Sequence, residues 1–258
     1  MPVVAGDLKL YGAASRPEND TTTSGGAIDL QVGHEIAELT GDVTVRVVSD
    51  GADTRDVRLT IRQPSGVVMT ETKALAGATP VNFDTTARAV EKFEIFSTGT
   101  TNVETSATRT VQLQEQTGGN PVVSTMPINR GRQNRQFLNL TSGASPKDAY
   151  EKAFFKNENG TSALLLATVE LVSHIADPDN GIQMALETMV NGTNSSANRV
   201  TAPTGITAWA DDDGTKIGVP GTDLAAGAAI GVWLRTRLGA NDAPFRGSNV
   251  VRLEGSTA

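Results

Sequence analysis

The chain has 258 residues, a net charge of −7 and no cysteine, with 38% hydrophobic but only 4% aromatic residues. The cysteine count excludes disulfides, thiolate zinc sites and cysteine nucleophiles, and the acidic balance argues against nucleic-acid partners and anionic membrane surfaces. Plentiful Gly, Thr, Ser and Asn beside Val, Leu, Ile and Ala is the composition of many short strands joined by turns.

Residues 1–33 open with Met-Pro-Val-Val-Ala-Gly-Asp. No basic region is followed by an apolar run there, so the expectation is synthesis and folding in the cytosol, with no signal peptide or membrane span. Leu8 and Leu10 begin a short strand. The polar stretch from Ser15 to Gly26 holds too few apolar groups to order by itself. It predicts an extended N-terminal arm, lying either on its own domain or across a neighbouring subunit.

Residues 34–116 form the clearest block. Val43–Val47 and Val57–Arg62 alternate apolar and polar, Val67–Thr72 follows the turn Gln63-Pro64-Ser65-Gly66, and further runs are Thr79–Phe83, Val90–Phe96 and Thr110–Leu113. Short alternating strands separated by turn signals predict a β-sandwich of immunoglobulin-like type, without the core Trp and Cys pair of antibody domains. Residues 117–134 read as a linker. It carries most of the one tight basic cluster, Arg130, Arg132 and Arg135, which is either solvated or set against an acidic partner patch.

Residues 135–258 predict a second β-sandwich. Its strands are expected at Phe137–Leu140, Tyr150–Lys156, Ala163–Ile175, from Ile182, Ile206–Trp209, Lys216–Val219 and Asn249–Leu253, with a turn at Asp177–Gly181 and a polar loop at Asn191–Asn198. The organising stretch is Leu224–Leu238. Ile230, Val232 and Leu234 fall on one side at period two, Gly231, Trp233 and Arg235 on the other, so it reads as a long strand buried on one face and partly covered on the other, with Trp233 as a core anchor.

Chemistry is sparse. There is no Gly-x-Gly phosphate loop and no Gly-x-Ser-x-Gly elbow. His34 and His174 are the only histidines, and no His-Glu-x-x-His follows His34-Glu35. Asp211-Asp212-Asp213-Gly214 lacks the twelve-residue spacing of calcium loops and reads more simply as an Asp-Gly turn. The expectation is no catalytic, cofactor-binding or metal residue, and no enzyme.

Several stretches resemble a family of structural proteins of tailed bacteriophages and prophages: Gly6-Asp7-Leu8-Lys9-Leu10-Tyr11-Gly12 with Pro17-Glu18-Asn19-Asp20 and Ser24-Gly25-Gly26-Ala27-Ile28; Phe154–Thr161 with Leu164 and Leu166; Thr201–Thr207; and Leu224–Arg235. The resemblance covers residues 1–30 and 135–258 and leaves 34–116 as a module placed between them. It implies a virion protein assembled in the bacterial cytoplasm. The expected role is a capsid decoration (cement) protein bound to the major capsid protein or other virion proteins, as a homo-oligomer with a trimer favoured. A neck or tail component, and a host-surface adhesin whose sandwich loops bind glycan, are the alternatives.

Overall fold

The computed structural model describes residues 1–96, 109–127, 130–138, 140–173, 181–241 and 249–257. It is all-β. A single 3₁₀ turn at Ala5–Asp7 is the one helical element among these residues, and no helix is long and apolar enough to cross a membrane. The strands in chain order are β1 (Leu8–Ser15), β2 (Ser24–Asp29), β3 (Val32–Gly33), β4 (Val45–Ser49), β5 (Asp56–Arg62), β6 (Val68–Ala74), β7 (Val81–Asn82), β8 (Ala89–Phe96) and β9 (Thr110–Glu115). They continue with β10 (Val122–Pro127), β11 (Arg132–Asn134), β12 (Lys147–Asn157), β13 (Leu165–Ser173), β14 (Ile182–Leu186), β15 (Ser195–Ser196), β16 (Lys216–Gly218), β17 (Ala229–Leu238) and β18 (Val250–Ser256).

The chain divides into two compact units, one of Met1–Asp29 with Phe137–Ala258, the other of Leu30–Gln136. The second unit is a sandwich. Its sheets run β10-β9-β4-β7 and β3-β11-β8-β5-β6. Alternation supplies the core: Val45 and Val47, Val57, Leu59 and Ile61, and Val111 and Leu113 point inward from β4, β5 and β9, and meet Phe93, Ile95 and Met126. The same period leaves Arg58, Thr60 and Arg62 on the outer face.

The first unit pairs a six-stranded sheet, β14-β17-β12-β1-β2-β15, with a three-stranded one, β16-β13-β18. Val169 and Leu171 of β13 share a core with Met184, Ile230, Val232 and Leu234. β17 is the axis. It pairs with β12 over ten residues, Lys147↔Leu238 to Lys156↔Ala229, and with β14 on its other side. Its odd face is covered too: Ala229 packs with Tyr11, Ala13 and Phe154, and Trp233 with Tyr150, Ala185 and Ile206.

Several expectations change. Residues 1–29 of the expected arm lie on their own unit and carry β1 and β2, while Leu30–Gly33 belong to the smaller unit; β1 pairs with β12 along Leu8–Gly12 and with β2 along Gly12–Ser15. The 117–134 linker contains β10 and β11, because Val123 and Met126 reach the core of the smaller unit and are buried there. Phe137–Leu140 is no strand over its described residues: Phe137 takes a left-handed φ of 55° and opens a bend, and Asn139 lies outside the described residues. Ile206–Trp209 is a loop over Trp233, entered through Gly205 at φ 79°, and only Ala210 bridges to Met184. The strand expected to reach Ile175 ends at Ser173 within the described residues, and all of the Asp177–Gly181 turn except Gly181 lies outside them. The polar loop Asn191–Asn198 contributes the two residues of β15 to the edge of the sheet.

Candidate functional site

The most concentrated polar chemistry lies inside the larger unit, against Trp233. Lys152 on β12 stands opposite Trp233 on β17. Its ammonium is ion-paired with Glu187, and both side chains are 0% exposed. Lys152 Nζ donates to the carbonyl oxygens of Gly26 at 2.9 Å, Gly192 at 3.1 Å and Asn194 at 3.2 Å. Glu187 accepts from Asn194 Nδ2 at 2.8 Å and from Trp233 Nε1 at 3.4 Å. The ammonium also lies 4.6 Å from the Phe154 ring centroid and 5.5 Å from that of Trp233, a cation–π geometry.

Gly231 makes the room. A Cβ there would lie 2.5 Å from Glu187 Cγ and 2.6 Å from Lys152 Cε. Gly25 does the same for the indole: its Cβ would lie 2.5 Å from the Trp233 ring, at a φ of 94° that only glycine adopts freely. Burial lowers the Lys152 pKa, opposed by the Glu187 carboxylate. A lysine of lowered pKa is the starting point of amine catalysis. Here the donors are taken up by main-chain oxygens and a carboxylate, and no face of the ammonium meets solvent. The arrangement works as a cross-link, tying β2 and the 189–194 loop to β12.

A second buried charge sits beyond β12. Arg199 is fully buried; its Nη1 donates to Leu138 O at 2.6 Å and its Nε to Asn19 O at 3.4 Å. Glu151 Oε1 lies 3.6 Å and Asp20 Oδ1 4.0 Å from the guanidinium, and Lys147 closes on Asp20. Burial pushes the Glu151 carboxyl up to about 7, against the opposing pull of the Phe137 N–H and Arg199. This cluster clamps the 16–23 and 197–201 loops onto the sheet.

The residues singled out in the sequence do not converge on a site. His34 sits in the smaller unit with Nδ1 2.9 Å from Asn134 O, and His174 lies outside the described residues. The Thr215 hydroxyl and then its N–H, at 2.9 Å, hold the Asp213 carboxyl below the usual range, while Gly214 takes a φ of 87°: the local geometry is a turn leading into β16. Among the described residues no three His, Asp or Glu side chains are grouped to hold a metal. Arg130 is buried, and Arg135 donates to Val90 O at 2.7 Å and Ala37 O at 2.8 Å and pairs with Glu38, so part of the basic cluster is structural. Trp233 is a fully buried core residue.

A groove of about 510 Å³ lies between the N-terminal segment and the three-stranded sheet. Val3, Leu8, Leu164, Leu166 and Leu253 make its apolar wall. Leu166 is 67% exposed at a φ of 50°, its N–H held by the Asp223 carboxylate at 2.8 Å. The charged group in the lining is Glu254, which is engaged by Lys216 and Arg252. A groove without converging donors or a nucleophile suits apolar contact rather than bond chemistry.

Lys152, Glu187, Glu151 and Arg199 did not stand out in the sequence. The available signal was Glu151-Lys152 in the middle of a strand otherwise rich in Ala and Phe: consecutive charges there point to opposite faces, and a sheet covered on both faces must pair each of them.

No family model, curated protein or solved structure matches this chain.

Proposed function

We propose that this chain is a non-enzymatic structural subunit of a tailed-bacteriophage virion, a decoration protein that bridges capsomers through contacts with the major capsid protein. The observation that supports this reading is where the resembling stretches fall. Leu8–Tyr11, Ser24–Ile28, Phe154–Asn157 and Ala229–Arg235, far apart in sequence, belong to the adjacent strands β1, β2, β12 and β17. Gly25 in the first motif leaves space for Trp233 in the last. The motif residues therefore act together as the frame of one sheet, as expected of a signature for a structural scaffold rather than a catalytic site.

In this reading the Leu30–Gln136 unit is an immunoglobulin-like module inserted between two parts of the scaffold, and it projects from the particle. The scaffold meets the shell as a symmetric oligomer, with a trimer favoured at a shell symmetry axis. The test is copy number, by quantitative mass spectrometry of purified particles against the major capsid protein. A ratio near one chain per capsid subunit, or one per few, is the expected result. About a dozen copies or fewer, as a ring at a unique vertex gives, moves the protein to the neck or tail, and absence from particles overturns the virion reading.

A further inference from the structure

Most sheet edges in the described residues are closed or broken. β3, β7 and β15 are two residues long and β16 three. β10 carries a register shift and ends in Pro127, β18 pairs with β13 through two shifts, and β14 is bridged on its outer side by Ala210. These are the ordinary devices against edge-to-edge pairing.

β6 has none of them. It pairs with β5 over seven consecutive residues, Asp56↔Ala74 to Arg62↔Val68, without a shift. Gln63 N donates to Val67 O and Leu75 N to Arg55 O, both at 2.8 Å. Alternation then fixes the directions: the backbone groups of Val67, Met69, Glu71, Lys73 and Leu75 face β5, and those of Val68, Thr70, Thr72 and Ala74 face outward. All four outward residues are exposed, as are Val67 and Met69. The two charges do not guard the edge. Glu71 accepts the N–H groups of Asp84 and Thr85 at 2.9 and 3.2 Å, and Lys73 lies 2.7 Å from Asp84, so both fold back along the sheet.

The geometry points to β6 as a docking strand for β6 of a second copy of this chain, antiparallel across a two-fold axis. Such a contact is self-complementary; any register centred on a residue presents outward groups to outward groups, and three of them keep the middle of the strand paired. Centred on Glu71, the strand sets that carboxylate against its own copy. Centred on Thr70, it sets Met69 against Glu71 and Val67 against Lys73. Centred on Thr72, it sets Glu71 against Lys73 of the second copy, twice, with Thr72 opposite Thr72 and Met69 opposite Leu75. Glu71 and Lys73 keep their partners within the chain, and this last register is selected because it sets neither like charges nor a charge and an apolar side chain in directly facing positions. The two five-stranded sheets then continue as one, and the exposed Val68 and Met69 are carried into the joint. The inference does not depend on the virion reading, since it concerns the purified chain alone.

The experiment is light scattering with sedimentation equilibrium on the full chain from dilute to concentrated solution, with Thr72→Lys and Thr72→Glu. The wild-type mass is expected to rise from one chain to two. Each variant puts like charges at the two-fold axis and weakens association by about tenfold or more. An equimolar mixture restores it as a heterodimer. Thr72 is exposed, so both variants keep the wild-type circular dichroism and melting temperature. A wild-type chain that stays single at every concentration overturns the proposal. So does association that neither substitution weakens, or a loss that mixing fails to reverse.

Discussion

Lys152 and Glu187 form an ion pair from which solvent is wholly excluded, at the centre of a six-stranded sheet. Neither charge is tolerable there alone. Removing one partner of a buried pair leaves the other uncompensated and costs about 3–5 kcal/mol, whereas replacing both by apolar groups of similar volume is far milder. Lys152→Met and Glu187→Leu are each expected to lose stability on that scale, and the double variant less than their sum. Denaturant unfolding of the four proteins gives the coupling energy. Additive losses would mean that the pair does not act as a unit. The three carbonyls bonded by Lys152 keep the double variant below wild type.

Gly231→Ala probes the same centre by volume. The new methyl group has Glu187 Cγ at 2.5 Å and Lys152 Cε at 2.6 Å, with both chains already fixed by their partners. Overpacking of this kind typically costs about 1–3 kcal/mol. The expected readout is a lower denaturation midpoint with an unchanged m-value.

Gly25 and Trp233 make a separate pair of tests. Trp233→Ala empties the largest fully buried side chain and is expected to cost about 3–5 kcal/mol or to unfold the larger unit. Gly25→Ala drives a methyl group into that indole and also strains a backbone at φ 94°. Combining Gly25→Ala with Trp233→Phe should be less damaging than the two separately, because the smaller ring removes the clash but not the strain. Thermal unfolding of the full set checks this.

The all-β class, and the alternating strands of the smaller unit, were legible because each has one buried face: β5 and β9 alternate without exception. Strand β12 was legible over Tyr150–Lys156 from the same period. The centre of the larger sheet was not, because both faces are covered and periodicity carries no information about which cross-sheet charges meet. Lys152 and Glu187 are 35 positions apart and are joined only through the register of β12, β17 and β14. The N-terminal stretch misled for a related reason. Its polar residues look unable to order themselves. Leu8–Gly12 are ordered by main-chain pairing to β12, Tyr11 facing Phe154 across the ladder, and the polar residues that follow are held by pairing of Ser24 and Gly25 with β15 and by Arg199 and Lys147. Short strands such as β10 were hidden in a Gly-Pro-rich context that reads as linker.

That pairing bears directly on truncation. An arm that only reached a neighbour would be removable without harm to the isolated protein. Deleting residues 1–26 here takes away all of β1, with Tyr11 and Ala13 from the core, and half of β2. It also removes Asp7, whose main-chain oxygen accepts from Glu158 N at 2.7 Å and whose carboxylate accepts from Asn159 Nδ2 at 3.0 Å. The expected outcome is a larger unit that fails to fold, seen as collapsed amide dispersion in NMR spectra. A truncated chain with a native melting temperature would show that β1 is dispensable.

Glu151 is expected to give the larger unit an unusual acid limb. Burial raises its pKa from the ordinary 4.5 to about 7 in the folded state. Between those values the folded protein holds a proton that the unfolded chain releases, so stability falls as pH rises through the window and is level above it. A shift of this size corresponds to about 3 kcal/mol at most, since each pKa unit is about 1.4 kcal/mol. Carboxylates such as Asp53, held below their usual range by Arg55, act in the opposite sense at lower pH. The comparison that isolates Glu151 is therefore the difference between wild type and Glu151→Gln, followed by melting temperature from pH 4 to pH 8. The wild type should lose stability relative to the variant across the window and run parallel to it above. A constant difference throughout would mean that Glu151 is ionised in the folded protein at pH 5, with Arg199 outweighing its burial.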